Sequence, residues 1–275
     1  MSPTQSASTS TGTYDNNGQY TRKGILRYEK VFGDGYISTG GPETTQYLCA
    51  KLGETLKAGA RVLDVGSGIG GAAFHLAKQY GASVTGVDLS PEMVAIAGER
   101  AQEAGKGIAV KFLLADILEA PFDQPFDIVW SRDALMHLPD KTRLFSRLFD
   151  LTAPGGRLVI TDYAKGTGPG SAEFRDYVAK TGYHLTDPAS YGKLLAAAGY
   201  VNVVAEDATD RFVDILKREV ERLSANRDDF VKYFSEEDLN YLIERWEMKV
   251  GFCRAGDMKW GIYKADRAPV GRASS

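Results

Sequence analysis

The stretch Val62-Leu63-Asp64-Val65-Gly66-Ser67-Gly68-Ile69-Gly70-Gly71 decides the fold. Residues 61–65 are an apolar run that reads as a buried strand; the run breaks into a glycine-rich turn, and a helical pattern begins near Ala72. Strand, tight glycine loop and helix N-terminus in that order make a ligand cradle. Glycine permits the turn's backbone angles and lets a ligand approach the main chain closely. Eighteen residues past Gly70 stands Asp88, at the end of a second apolar strand over 83–87. An acid there can accept hydrogen bonds from both hydroxyls of a ribose.

The spacing Gly66-x-Gly68-x-Gly70 is not the Gly-x-Gly-x-x-Gly usual for dinucleotides, and Asp64 sits awkwardly where a pyrophosphate would lie. A carboxylate beside the loop suits a cation instead. Asp64, the glycines, Asp88 and a third acid, Asp116, come at the ends of three successive strands. Together they resemble the signature of S-adenosyl-L-methionine methyltransferases. The alternative is a Rossmann-like fold holding another nucleotide.

Composition narrows the field. The 275 residues are 43% hydrophobic, enough for a packed core in one large domain or a core with a lid. The formal charge is −3 with no basic cluster, which argues against nucleic-acid binding. Two cysteines, Cys49 and Cys253, make no disulfide framework, and three scattered histidines, His75, His137 and His184, make no zinc site. A reduced cytosol fits, no metal is expected, and no apolar run approaches the ~18–20 residues of a membrane span. Residues 1–13, rich in Ser and Thr, read as a disordered tail, and 267–275 read similarly.

The periodicity predicts a short amphipathic helix over 16–32, ended by Gly33-Asp34-Gly35, and a second helix over 42–56. Strands follow at 61–65, 83–87, 110–114, 126–130 and 157–161, with helices at 72–80, 91–104 and 141–151. Ser90 and Pro91 suit the start of the second of these. Pro154-Gly155-Gly156 reads as a turn into the fifth strand. Such alternation argues an α/β fold with a mostly parallel sheet covered on both faces. Beyond it, helices at 171–180, 188–198, 210–223 and 235–250 interrupt two last strands at 201–204 and 260–263. The expectation is one methyltransferase domain over 14–266, Rossmann-like and class I, with a seven-stranded sheet. A lid segment over 14–57 and helical insertions over 164–198 and 208–250 would roof the site. Ligands of such sheets bind beyond the carboxyl ends of the strands.

At the end of the fourth strand, Ser131-Arg132-Asp133-Ala134-Leu135-Met136-His137 places polar groups at the ligand edge. On a helical turn Asp133 and His137 would share a face; the structural alternative is a capping Asp133 and a surface His137. Thr161-Asp162-Tyr163 repeats the pattern after the fifth strand. Tyr177, Tyr183 and Tyr191 follow; tyrosine hydroxyls and ring faces suit a small amine or quaternary ammonium.

Asn17-Gly18-Gln19-Tyr20, Tyr28-Glu29-x-x-Phe32-Gly33, Tyr36-Ile37-Ser38-Thr39-Gly40-Gly41, the Ser131–His137 run, Ile160-Thr161-Asp162-Tyr163 and Lys259-Trp260-Gly261 occur in that order around the glycine loop. From about residue 16 to 265 the chain resembles the phosphoethanolamine N-methyltransferases, in their single-domain form. The resemblance implies that Gln19, Tyr28, Ile37, Ser38, Asp64, Gly66, Gly68, Asp88, Leu89, Asp116, Ile117 and Arg132 hold S-adenosyl-L-methionine. Within that set, Asp88 would take the ribose, Leu89 and Ile117 the adenine, Asp116 its amino group, and Arg132 the carboxylate. It implies that Tyr20 and His137 form a catalytic pair, that Asp133 faces the amine, and that Tyr163, Tyr177, Tyr183 and Lys249 line the phosphobase pocket. Where the family has a phosphate-binding arginine in Tyr-x-x-x-Arg-x-Tyr, this chain has Thr181, with Lys180 beside it as a point donor.

The chemistry expected is in-line methyl transfer to a neutral amine. A primary ammonium has a pKa near ~10.4 and carries no lone pair at neutral pH. His137, with an ordinary pKa of ~6.5, is the candidate acceptor, and Tyr20 the latch. The alternatives are methylation of another small amine, such as an amino acid or aminophosphonate, motivated by Thr181, and a cofactor-binding protein without catalysis. A monomer is expected, because the lid segments use the apolar surface an interface would need.

Overall fold

Apolar strands buried on both faces and helices with one apolar stripe assemble here into a three-layer α/β unit. The computed structural model describes residues 20–270. The seven strands are β1 (Arg61–Val65), β2 (Ser83–Asp88), β3 (Val110–Leu114), β4 (Phe126–Arg132), β5 (Thr152–Lys165), β6 (Val201–Asp207) and β7 (Met258–Asp266). They form one sheet in the order β3-β2-β1-β4-β5-β7-β6. The first five run parallel, and β7 lies antiparallel between β5 and β6. The strand order reverses between β1 and β4, so the crevice for a ligand opens at their carboxyl ends.

Side-chain alternation sorts the core into two layers. Val62, Ile128, Trp130 and Val159 face one side of the sheet; Leu63, Val65, Val129, Leu158 and Ile160 face the other. The second face is covered by α5 (Lys141–Leu151) and α7 (Pro188–Ala197), which supply Leu144, Phe145, Leu148, Tyr191 and Leu195. The first face is covered by α2 (Gly41–Leu52) and α3 (Gly71–Tyr80), and by α1 (Arg22–Phe32), α6 (Ala172–Thr181), α8 (Thr209–Ala225) and α10 (Glu236–Ala255). In a third cluster α1 packs on α4 (Pro91–Ala104): Ile25 meets Met93, Ile96 and Ile69 of the glycine loop, with Tyr20 and Ile37 against them.

The helix ends follow local chemistry. Thr21 caps α1 by accepting from Gly24 N, and Ser90 caps α4 by accepting from Met93 N, with Pro91 at the first helical position. Ser235 and Asp238 make a capping box at the start of α10. Asp238 also pairs with Arg27 of α1, which ties the N-terminal segment to the lid.

Several boundaries differ from the sequence expectation. The first helix begins at Arg22, not at 16, and of the earlier stretch only Tyr20 and Thr21 lie within the described residues. The second ends at Leu52, followed by a 3-10 turn over Gly53–Thr55. Pro154-Gly155-Gly156 is part of β5: the strand carries an irregularity opposite Phe126 and Ile128, with Gly155 at φ 79°. The two helices of the stretch expected to roof the site, 164–198, lie on opposite faces of the sheet. Tyr177 of α6 joins the lid layer, whereas α7 lies on the opposite face because Tyr191 and Leu195 pack on α5. Arg267 is no tail residue: its Nη1 donates to Phe149 O and Thr152 O at 2.8 Å each. A short helix, α9 (Arg227–Phe230), was not read from the sequence.

Candidate active site

The glycine loop is gripped from two sides. Gly66 and Ser67 donate their amides to Val87 O at 2.8 and 3.1 Å, anchoring the loop on β2. Gly66 has φ 71° and Gly68 φ 52°, both in the left-handed region that favours glycine. A Cβ on Gly66 would stand 2.2 Å from the Ala134 Cβ, and one on Gly68 2.6 Å from the Ile37 Cδ1. Ile37 and Ala134 therefore close on the loop from opposite directions. Asp88 accepts from Gly68 N at 2.8 Å and from Ser90 N at 2.9 Å, so it joins loop to α4. Asp64 is buried, which pushes its carboxyl up to about 7 against the opposing pull of Arg132. Asp64 Oδ2 and Ser67 Oγ are buried without a protein partner. Asp116 accepts from Leu118 N at 2.9 Å, Ile117 is buried beside it, and Leu89 is 42% exposed at the end of β2. Gln19 lies outside the described residues.

The end of β4 holds the N-terminal segment down. Arg132 is buried, and its Nη1 donates to Gly41 O at 2.8 Å and Thr45 Oγ1 at 2.6 Å while Nη2 reaches Thr39 O. Only its Nε has no partner. Ser38 O accepts from Gly41 N at 3.0 Å, which shapes the same loop. Glu219 of α8 accepts from Gly40 N at 2.9 Å and from Trp246 Nε1 at 2.7 Å. Its burial pushes the carboxyl up to about 7.

Asp133 and His137 do not share a helical face. Asp133 takes φ 49°, a left-handed conformation that Asp tolerates, and Leu135–His137 is a single 3-10 turn. The two side chains thus diverge. The Asp133 carboxylate accepts from Thr39 N at 3.0 Å, Thr161 Oγ1 at 2.9 Å and Trp260 Nε1 at 2.8 Å. His137 Nε2 stands 3.2 Å from Tyr20 OH, with the Tyr183 ring edge-on at 5.2 Å. Burial, with Lys141 and His184 nearby, pushes the His137 pKa down to about 4. The imidazole is therefore neutral at physiological pH.

Beyond His137 the lid encloses a set of tyrosines. Tyr183 lies 5.9 Å from Tyr163 and 6.0 Å from Tyr177, both edge-on. Tyr28, expected at the cofactor, stands in this layer, 5.9 Å from Trp246 and 6.4 Å from Phe32, with its hydroxyl buried beside that of Tyr241. Lys249 donates to Tyr163 OH at 3.0 Å, and its burial, with Arg245 one helical turn away, pushes the ammonium down to about 7. Thr181 contributes nothing to this layer's hydrogen bonding, because its hydroxyl donates to Tyr177 O at 2.9 Å within its own helix. Lys180 points away and pairs with Asp176 at 2.7 Å on an exposed face. Glu219 and Arg245 were missed by the sequence reading. Arg245 had a readable signal, its spacing of one turn before Lys249 on a predicted helix. Glu219 had none, since its partners are a backbone amide and an indole distant in sequence.

Among the described residues no cluster of His, Cys, Asp or Glu could hold a metal ion, and no helix is long and apolar enough to cross a membrane. A family model described as a methyltransferase domain matches residues 56–199. The chain is 43% identical over 252 residues to phosphoethanolamine N-methyltransferase 1 of Zea mays, covering 91% of this chain and 50% of that protein. The chain thus spans about half the length of the plant relatives it matches. It is 35% identical to the phosphoethanolamine N-methyltransferase of Plasmodium falciparum, covering 93% of this chain and 96% of that one. Among solved structures, the Haemonchus contortus phosphoethanolamine N-methyltransferase 2, in complex with phosphomonomethylethanolamine and S-adenosylhomocysteine, superposes with a TM-score of 0.89 at 34% identity. That match covers 93% of this chain and 60% of that chain.

Proposed function

The chain belongs to the phosphoethanolamine N-methyltransferase family, and from that premise we propose that it methylates the nitrogen of phosphoethanolamine and its mono- and dimethyl forms, toward phosphocholine. The observation that carries this reading is the joining of three features at one sheet edge: the glycine loop, the Tyr20–His137 pair and the tyrosine layer around Lys249. A structural relative bound to phosphomonomethylethanolamine and S-adenosylhomocysteine supports the substrate class and the cofactor.

The residues present fit S-adenosyl-L-methionine. Asp64 Oδ2 and Ser67 Oγ are buried polar atoms without a protein partner, and Asp88, at the end of β2 beside the loop, would take the ribose. The acidic surroundings suit a sulfonium. When bound, S-adenosyl-L-methionine supplies an electrophilic methyl group. Gly66, Gly68, Ile37, Ser38, Asp88, Leu89, Asp116 and Ile117 would hold its nucleoside and methionine parts, with Asp64 and Arg132 beneath the loop.

On the substrate side, Tyr163, Tyr177, Tyr183, Tyr28 and Lys249 surround a small phosphorylated amine and exclude water. Positioning accounts for much of such a reaction, ~7–11 kcal/mol in favourable cases. His137 is neutral and can accept a proton from the amine. Its pKa near 4 lies about six units below an alkylammonium, a gap of ~8 kcal/mol. On this reading His137 accepts the amine N–H, with Tyr20 latching the N-terminal segment over it. Asp133, engaged by three donors, orients the site and offers negative charge to the amine.

The reading includes a monomer in a reducing compartment, consistent with the free thiols Cys49 and Cys253. The second reading, methylation of another small amine, draws on the Thr181 hydroxyl being taken up by its own helix. The test is methyl transfer from S-adenosyl-L-methionine to phosphoethanolamine, its mono- and dimethyl forms and ethanolamine in parallel. Preference for the phosphorylated amines is the expected result. Cofactor binding with no such preference would favour the second reading.

A further inference from the structure

Two cations lie in the lid without a carboxylate partner. α10 carries Tyr241, Arg245 and Lys249 one helical turn apart, so they follow one another down one face. Among the described residues no ion pair joins Arg245 or Lys249 to an Asp or Glu. Arg245 lies 5.4 Å over the Tyr241 ring, and its Nε is buried with no hydrogen-bond partner. The hydroxyls of Tyr28 and Tyr177 are likewise buried, and their neighbours are the hydroxyls of Tyr241 and Tyr183. Burial works against the Arg245 charge, and Tyr28, Tyr177, Tyr241 and Tyr183 are its neighbours. Those tyrosines come from α1, α6, α10 and the turn after α6, so the guanidinium stands where four parts of the lid converge.

A guanidinium whose buried Nε has no partner, beside a buried ammonium with no carboxylate to pair with, has the makings of an anion site. A guanidinium offers a planar fork matched to phosphate, keeps its charge at every relevant pH, and tolerates burial better than an ammonium. Lys249 supplies a second, adjustable charge one turn away. The single hydroxyl hydrogen of Thr181 is committed to Tyr177 O, and Lys180 lies on an exposed face beside Asp176.

We propose that Arg245 recognises the substrate phosphate: its guanidinium, with the Lys249 ammonium and the Tyr28 and Tyr177 hydroxyls, takes the phosphate oxygens. This rests on the reading that the substrate is a phosphorylated amine.

The experiment compares the full chain with Arg245→Gln and Arg245→Met. Binding of phosphoethanolamine, inorganic phosphate, ethanolamine and S-adenosyl-L-methionine is measured by calorimetry, KM and kcat by methyl transfer, and folding by thermal unfolding. Both variants are expected to fold, to bind S-adenosyl-L-methionine within about twofold of the parent, and to lose at least about tenfold in affinity for phosphoethanolamine and inorganic phosphate. The loss should appear as a raised KM, with ethanolamine binding unchanged. Unaltered phosphate affinity in a folded variant, or no phosphate binding by the parent, would overturn the proposal. A parent that binds phosphate through Arg245 yet methylates no phosphorylated amine would retire the functional reading and leave Arg245 as an anion-binding residue.

Discussion

Trp260 Nε1 donates to Asp133 Oδ1 at 2.8 Å, so the last strand of the sheet and the loop after β4 meet on one carboxylate. Thr39 N reaches the other oxygen of the same group, which brings the N-terminal segment to that point too. Three segments remote in sequence are thus fixed within hydrogen-bond distance of the position where the amine is proposed to lie. A carboxylate suits this role because it accepts from several donors at once and donates to none.

Replacing Asp133 by Asn tests this arrangement. The amide keeps one oxygen but turns an NH2 toward a donor, so at least one of the three bonds is lost. The expected cost is ~1–3 kcal/mol of stability for the unsatisfied group. Misplacement of the strap should lower kcat on the order of 10²-fold. Chemical denaturation and steady-state kinetics check the two effects, and Trp260→Phe should reproduce the first with a smaller second.

Tyr20 and His137 form one unit in this account. Tyr20→Phe removes the hydroxyl 3.2 Å from Nε2, and His137→Ala removes the imidazole. Each is expected to lower the single-turnover rate on the order of 10²-fold, within the range for lost acid–base assistance. The double variant should be little worse than the poorer single one. Multiplicative losses would show that the two side chains act separately.

Glu219 gives a pH dependence whose sign is fixed by its burial. Its pKa is raised from an ordinary carboxyl value to about 7, so the folded state holds a proton that the unfolded state has released. That contribution is fully present below the unfolded pKa and is lost as pH rises through about 7. Glu219→Gln cannot titrate. The stability of the parent relative to this variant should therefore fall between pH ~5 and ~8, by at most ~1.4 kcal/mol per pH unit. Denaturation midpoints of both proteins across that range provide the check. His137 works in the other direction, its contribution being present above pH ~6.5 and lost as pH falls toward about 4.

The sheet was legible because its strands are short, apolar and regularly spaced. Arg61–Val65 and Val110–Leu114 fall where the pattern places them. The reading lost accuracy where tertiary contacts override local pattern. Pro154-Gly155-Gly156 looks like a turn, yet Gly155 N and Gly156 O both bond to Arg267, and pairing with the chain's last strand region keeps the segment extended. Asp133 looked like the start of a helical turn, but three distant donors hold it at a positive φ. Glu219 carries no motif of its own, and Arg245 only its spacing from Lys249. Their importance comes from what faces them, a backbone amide and an indole for one and a group of phenols for the other. Tyr28 illustrates the same limit: its place in a motif was visible, while the side of the lid it faces was set by its packing on Trp246.

The grip of Ile37 on the glycine loop yields a further test. A methyl group on Gly68 would meet Ile37 Cδ1 at 2.6 Å and Cγ1 at 2.9 Å, and at φ 52° it also carries a left-handed backbone cost of ~1–2 kcal/mol. Shortening Ile37 removes the contact and leaves the backbone cost. Gly68→Ala should therefore destabilise the protein less in an Ile37→Ala background than alone, with a coupling of ~0.5–3 kcal/mol. Gly66→Ala behaves differently, because its new methyl would stand 2.2 Å from the Ala134 Cβ, a short side chain that cannot swing away. Its cost should be the same in either background, and its affinity for S-adenosyl-L-methionine at least tenfold weaker. Denaturation of the six proteins, each glycine variant and the parent in both backgrounds, separates the two glycines, and equal Gly68→Ala costs with and without the Ile37 side chain would mean that the loop does not rest on Ile37.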